Sequence, residues 1–170
     1  MRTIPLYGKK AAGRVALVDD QDYALVAVHR WSIMEEIRAG RPYGPYARTY
    51  VTLPGGRQVT IRMHNLILDC AGVDHINQNG IDNRRANLRP ATKSQNAANQ
   101  RPVKGKTSQF KGVCWYRATK WQAYITVSGN RRHLGYFDAE EDAARAYDTA
   151  ALAAWGDYAC LNFPSSSSGS

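Results

Sequence analysis

A chain of 170 residues and 18.9 kDa holds one ordinary domain or two small ones, and a hydrophobic content of 44% excludes wholesale disorder. A net charge of +9 beside ten Tyr and four Trp points to a polyanionic partner. Cys70, Cys114 and Cys160 stand far apart with no CxxC, which excludes a disulfide framework and a cysteine-rich zinc knuckle.

No apolar run reaches the length of a signal peptide or of a membrane span. The sequence therefore predicts a cytoplasmic, nucleoid-associated chain with no membrane partner. In chain order, Val15–Val18 reads as a short strand, with Asp20 capping a helix around Asp22–Val28. Tyr46–Leu53 and Gln58–Met63 are β-rich runs flanking Pro54-Gly55-Gly56, a hairpin signal. His64–Asp69 continues as a short helix. Val73–Ile76 and Leu88–Pro90 are predicted as two short strands around an Asn-Gly turn. A helix then starts in TKSQNAANQ, capped by Thr92 or Ser94. The stretch QRPVKGKTSQ reads as a linker.

Beyond it, Gly112–Tyr116, Trp121–Val127 and Arg131–Phe137 read as three strands joined by hairpin-length turns. In the middle strand Trp121, Ala123, Ile125 and Val127 share one face, while Gln122, Tyr124 and Thr126 share the other. A helix to cover the first face follows, with Asp138 and Glu141 as a capping box and Ala143, Ala144, Tyr147, Ala150, Ala151 and Ala154 at helical spacing. Gly156 is its stop. The tail SSSSGS is low in complexity and predicted disordered.

Charge is not spread evenly. From Asn83 to Phe137 no Asp or Glu occurs, while Arg and Lys recur throughout. Such a one-sign stretch reads as an electrostatic footprint for nucleic acid. At its start lies VDHINQNGIDNRRANLRPATKSQNAANQ, an adjacent Asp74-His75 pair followed by many asparagines. Phosphodiester cleavage needs a base for water and a cation at the phosphate. Histidine titrates near neutrality, and Mg²⁺ accepts one carboxylate plus an amide oxygen. That chemistry fits Asp74, His75 and either Asn96 or Asn99. Asn77, Asn79 and Asn83 are read as turn formers.

MHNLIL followed by this stretch resembles the zinc-free HNH homing endonucleases of phages and bacteria. The resemblance covers Met63 to Gln100. It implies a two-strand, one-helix metal-binding unit in which Asp74 is a metal ligand, His75 the general base, and Asn87 a brace for the loop between the strands. It further implies Asn96 as second ligand, with Asn99 competing, and Arg89 as a phosphate contact. His64 stands before Asn65 where the family carries Arg, and is read as a packing residue. The segment from Ser108 to Pro164, with its KGV, LGYF, AARAYD and LNFP, resembles an AP2 DNA-binding domain. That resemblance implies a three-stranded sheet entering the DNA major groove, with Lys111, Tyr116, Tyr124, Thr126, Arg131 and His133 at contact positions. Cys114 matches one too, but equally reads as ordinary sheet surface. Arg117 and Lys120 could add phosphate contacts.

The expected fold is α+β: an HNH nuclease domain over 1–100 with its preceding hairpin, a linker over 101–107, an AP2-like domain over 108–164 and a tail over 165–170. The expected function is a DNA endonuclease of homing or mobile-element type, using Mg²⁺ or Mn²⁺ on double-stranded DNA as a monomer or homodimer. The rivals are a non-catalytic DNA-binding regulator and an RNA-binding protein.

Overall fold

The computed structural model describes residues 1–38, 41–101, 107–117 and 119–164. Most of the expected linker and all of the expected tail lie outside them. Among the described residues the protein is α+β, with four α-helices and several small antiparallel sheets. It divides into two compact units, Met1–Thr92 and Lys93–Ser170. No described helix is long and apolar enough to cross a membrane.

In the first unit, β1 (Arg2–Pro5) pairs antiparallel with β2 (Val15–Val18). Helix α1 spans Asp20–Ala27 and begins two residues earlier than expected; the N-cap position is Asp19, not Asp20, and neither carboxylate caps the helix. Asp19 instead accepts from the Arg85 backbone N–H at 2.8 Å. Strands β3 (Ser32–Arg38), β4 (Arg41–Thr52) and β5 (Gln58–Arg62) form a second sheet in that order. The expected hairpin is β4–β5, whereas β1 and β3 carried no clear alternation and escape sequence reading. Helix α2 (Met63–Leu68) follows, ending at Asp69 in a left-handed conformation. Its Met63 and Ile67 join Val18, Val26, Trp31 and Ala47 in one core, where the indole of Trp31 donates to the Val26 carbonyl at 2.8 Å.

Strands β6 (Val73–His75) and β7 (Leu88–Pro90) pair with Asp74 opposite Arg89 and His75 opposite Leu88. The connection is no tight Asn-Gly hairpin. It is a long loop ending in a 3-10 turn, Arg85–Asn87. The loop is pinned to β2, for the Asn83 N–H donates to the Leu17 carbonyl and the Leu17 N–H to that of Ile81, at 2.8 and 2.9 Å. Gly80 sits where a Cβ would fall 2.3 Å from the Pro45 carbonyl and 2.5 Å from the Tyr46 ring, so only glycine lets the loop lie against β4.

The second unit holds α3 (Lys93–Asn99) and the sheet β8 (Val113–Tyr116), β9 (Lys120–Val127) and β10 (Asn130–Phe137), ordered 10-9-8. The sequence reading placed α3 in the first domain; by its contacts it groups here. Side chains explain why. The Lys111 ammonium donates to the carbonyls of Ala98, Gln100 and Ala97, the last turn of α3, where a cation meets the negative end of the helix. The Trp155 indole donates to Ser94 Oγ at 3.1 Å, and the Cys160 N–H to the Ala98 carbonyl at 3.0 Å.

Helix α4 (Glu140–Trp155) packs its alanines and Tyr147 on Val113, Ala123 and Ile125. The alternation in β9 is as expected, with Ala123 and Ile125 buried and Thr126 exposed. The capping box is not formed. The N-cap is Ala139 with no side-chain cap, because Asp138 is drawn to Lys120 at 2.7 Å. Glu140, Glu141 and Asp142 in the first turn suit the positive end of the helix instead. Buried Asp148 accepts from the N–H groups of Asn162 and Phe163 at 2.8 and 2.9 Å. Asn162 in turn bonds both the N–H and the carbonyl of Lys111. Thus AARAYD and LNFP are two halves of one buried clasp.

Gly112 (φ +76°) and Gly129 (φ +84°) separate conformational cost from steric cost. A Cβ at Gly129 meets nothing within 4 Å, whereas one at Gly112 would lie 2.0 Å from the Tyr147 ring. Gly129→Ala should cost about 1 kcal/mol, the left-handed penalty alone, and Gly112→Ala about 3 kcal/mol or more. Urea unfolding of the two variants reads the difference, and equal losses would contradict this packing.

Candidate active site

The site is built on β6 and the loop after it. All three residues of β6 are buried, Asp74 at 3% and His75 at 5% exposure. As neighbours in a strand they point to opposite sides. Asp74 faces its cross-strand partner: Arg89 Nε and Nη2 both donate to Asp74 Oδ2, at 2.9 and 2.8 Å. Two well-aligned donors in a dry setting make this a strong ion pair.

His75 lies among aromatic rings. Its centroid is 4.8 Å from His64 and 5.8 Å from Tyr46, and His64 and Tyr46 are 5.4 Å apart. Burial pushes the His75 pKa below the usual histidine value, outweighing the Asn83 contact and the nearby carboxylates of Asp74 and Asp82. His75 is therefore a neutral imidazole at pH 7, the form that accepts a proton. Its Nε2 lies 3.3 Å from Asn83 Oδ1. Asn83 is fully buried, and its Nδ2 has no partner. Read from sequence as a turn former, it is the residue that orients His75. The only hint was its place beside Asp82 in an asparagine-rich loop.

Asn87 braces that loop with both ends of its amide. Its Oδ1 accepts from the Asn77 N–H at 2.9 Å and its Nδ2 donates to the Asp82 carbonyl at 2.7 Å. Asn77 and Asn79 do form turns, each accepting from the N–H two residues on. Asp82, 2% exposed, takes Arg84 at 2.8 and 2.7 Å and the Asn77 amide at 2.9 Å, which together hold its carboxyl below the ordinary range.

The resemblance implies a divalent cation here. Among the described residues no group of three His, Cys, Asp or Glu could hold a metal. A carboxylate such as Asp74 is a hard-oxygen donor of the kind Mg²⁺ or Mn²⁺ takes, with water and a substrate phosphate completing the shell. Of the two amides named as second ligand, Asn96 is half-buried and Asn99 buried, both on α3 in the second unit.

The residues expected to touch DNA lie differently from one another. On the open face of the β8–β10 sheet, Tyr116, Tyr136 and His133 stack in a row, with centroids 4.8 and 4.5 Å apart. Arg131 lies over the Tyr124 ring at 3.7 Å and Arg117 over Tyr116 at 5.1 Å. Thr126 is exposed beside them, opposite Arg131. Lys111 is engaged on α3 carbonyls and Arg89 on buried Asp74, while Lys120 pairs with Asp138 at the exposed surface. Arg84 and Arg85, counted in the basic stretch, are also paired, with Asp82 and Asp22.

No family model matches the chain. It is 28% identical over 145 residues to an uncharacterized HNH endonuclease of Acanthamoeba polyphaga mimivirus, covering 82% of this chain and 74% of that one. Over 65 residues, 38% of this chain, it is 43% identical to an AP2-like ethylene-responsive transcription factor of Arabidopsis thaliana. It is 42% identical over the same length to APETALA2-like protein 2 of Oryza sativa subsp. indica. The chain is similar to both kinds of protein. It spans only 13% and 15% of the length of the two plant relatives.

His64 gives a test of the packing. Burial, His75 and Arg62 push its pKa down from 6.5 to about 3. Between those values the unfolded chain takes up a proton that the folded chain refuses. Stability is therefore full above pH 6.5 and falls as pH drops toward about 3, by up to about 1.4 kcal/mol per pH unit. Urea unfolding across this range should show the slope, and His64→Phe should flatten it. A variant with unchanged slope would place the titration elsewhere.

Proposed function

We propose that this protein is a metal-dependent DNA endonuclease that hydrolyses a phosphodiester bond. The observation that supports it best is the buried Asp74-His75 pair, its imidazole kept neutral by burial and oriented by Asn83 in an asparagine-braced loop. The similarity to an HNH endonuclease points the same way. His75, as the neutral imidazole, takes the proton of the attacking water. Asp74 and, by the resemblance, Asn96 would hold Mg²⁺ or Mn²⁺. The bound ion would neutralise charge at the phosphate and at the leaving oxygen. Arg89 keeps the Asp74 carboxylate aligned and counterbalanced until then. The open sheet face around Tyr116, Tyr124, Arg131 and His133 docks the enzyme on double-stranded DNA. A single such site nicks one strand, and a homodimer cuts two, as a homing or mobile-element nuclease requires.

A second reading is favoured by the Arabidopsis relative, an AP2-like ethylene-responsive transcription factor similar to this chain over 38% of its length. On that reading the protein is a sequence-specific DNA-binding regulator with an idle nuclease unit.

Supercoiled plasmid carrying DNA from around the gene decides between them. With Mg²⁺ or Mn²⁺ the protein should yield open circle, and EDTA, His75→Ala and Asp74→Asn should each abolish it, by about 100-fold or more. Retained gel shift without scission in any metal would sink the nuclease reading and leave the regulator. The pH profile adds a second expectation. Because burial lowers the His75 pKa, its base form persists below pH 6.5, so the acid limb of kcat/KM should lie below that value. A limb at or above it would take His75 out of the role.

A further inference from the structure

The sheet of the first unit carries an uncompensated feature. Along β4, Ala47 and Thr49 point into the core while Tyr46, Arg48 and Tyr50 point to the other face. Arg48 is paired directly opposite Arg62 of β5. Like charges at opposed positions destabilise a sheet. Each guanidinium is laid over aromatic rings instead of a carboxylate: Arg48 over Tyr50 at 5.3 Å, Arg62 over Tyr43 at 5.6 Å and Tyr46 at 5.8 Å. Among the described residues neither is in an ion pair, and Arg48 Nε is buried with no partner.

Most other cations of this unit near the site are spent on carboxylates, as Arg84, Arg85 and Arg89 are. The opposed pair is also placed with respect to His75. The contacts run without a break from His75 to the Tyr46 ring, from Tyr46 to Arg62, across the sheet to Arg48, and on to Tyr50, which is 53% exposed. Two adjacent cations held by aromatic faces and short of an anion match successive phosphates of a nucleic-acid strand.

We infer that the Arg48–Arg62 pair is a phosphate clamp, with Tyr46 and Tyr50 as its walls, that holds the DNA backbone next to the bond presented to His75. It rests on the nuclease reading above for the role of His75, but its binding test does not. The clamp provides affinity and alignment, not sequence choice, since phosphate contacts carry no sequence information. It is separate from the sheet face of the second unit, so two surfaces share the work of binding.

The test measures binding of the full chain to a labelled DNA duplex by fluorescence anisotropy, in EDTA so that nothing is cut, from low to moderate salt. Arg48→Gln with Arg62→Gln should flatten the slope of log K against log salt by about 2, near 0.9 for each phosphate contact, and weaken binding on the order of tenfold at 0.1 M salt. Arg48→Lys with Arg62→Lys should keep most of the slope. The thermal midpoint of the glutamine variant should not fall, because a repulsion is removed. Thr60→Lys, at the exposed position opposite Tyr50 on the same face, should steepen the slope by about 1, which guards against misfolding of the loss variants. Unchanged slopes in the glutamine and Thr60→Lys variants would overturn the clamp even if the plasmid is nicked. Wild-type protein that never nicks but shows these slope changes would overturn the nuclease reading and leave the clamp standing.

Discussion

The first unit depends on what Arg85 does. Its Nε and Nη2 meet both oxygens of buried Asp22 at 2.8 Å, and Nη2 also donates to the Ile67 carbonyl at 3.0 Å. Its backbone N–H is held by Asp19. One residue thus ties α1, α2 and the 3-10 turn before β7 to one another. A planar fork with fixed donors can satisfy that many acceptors at once; a lysine could not. The turn it fixes carries Asn87, Asn87 fixes the loop, and the loop brings Asn83 to His75. The geometry of the site is set by an arginine that touches neither Asp74 nor His75.

Much of this was legible in the sequence, where local chemistry and tertiary context agree. The period-two alternation of β9, the alanine face of α4 and the Pro-Gly-Gly turn between β4 and β5 each have a local cause, and each element lies where it was expected. Asn87 as a loop brace was legible too, through a specific ordered motif. What was not legible depends on distant partners. Asp138 has the spacing of a cap but is taken by Lys120, which sits across the sheet. Asn83 looks like its turn-forming neighbours until β2 fixes its backbone under His75. Strand β3 pairs across a register shift between Met34 and Glu36, which blurs its alternation.

The basic stretch shows the same limit for charge. Counting sign along a sequence treats each cation as available. In the fold Arg84, Arg85 and Arg89 neutralise buried aspartates, and Lys111 closes the end of α3. Their first effect is structural. Conversely Arg48 and Arg62, which lie outside that stretch and draw no attention in sequence, oppose each other on an open sheet. Availability of a charge is a property of its neighbours, and that information is held in register and not in composition.

The asparagines have a consequence of their own. The loop between β6 and β7 is laced by amides: Asn77 to the N–H of Asn79, Asn79 to that of Ile81, and Asn87 to Asn77 and Asp82. Amides neither titrate nor carry charge, so these bonds are indifferent to proton concentration and to ionic screening. Contacts to a polyanion must loosen as salt rises, and so must exposed ion pairs. The amide part of the frame around His75 has no reason to loosen with them, whereas the half-exposed Arg84 and Arg85 ion pairs that also hold the loop do. A loop laced in this way keeps its amide bonds at salt concentrations that strip a polyanion from the surface.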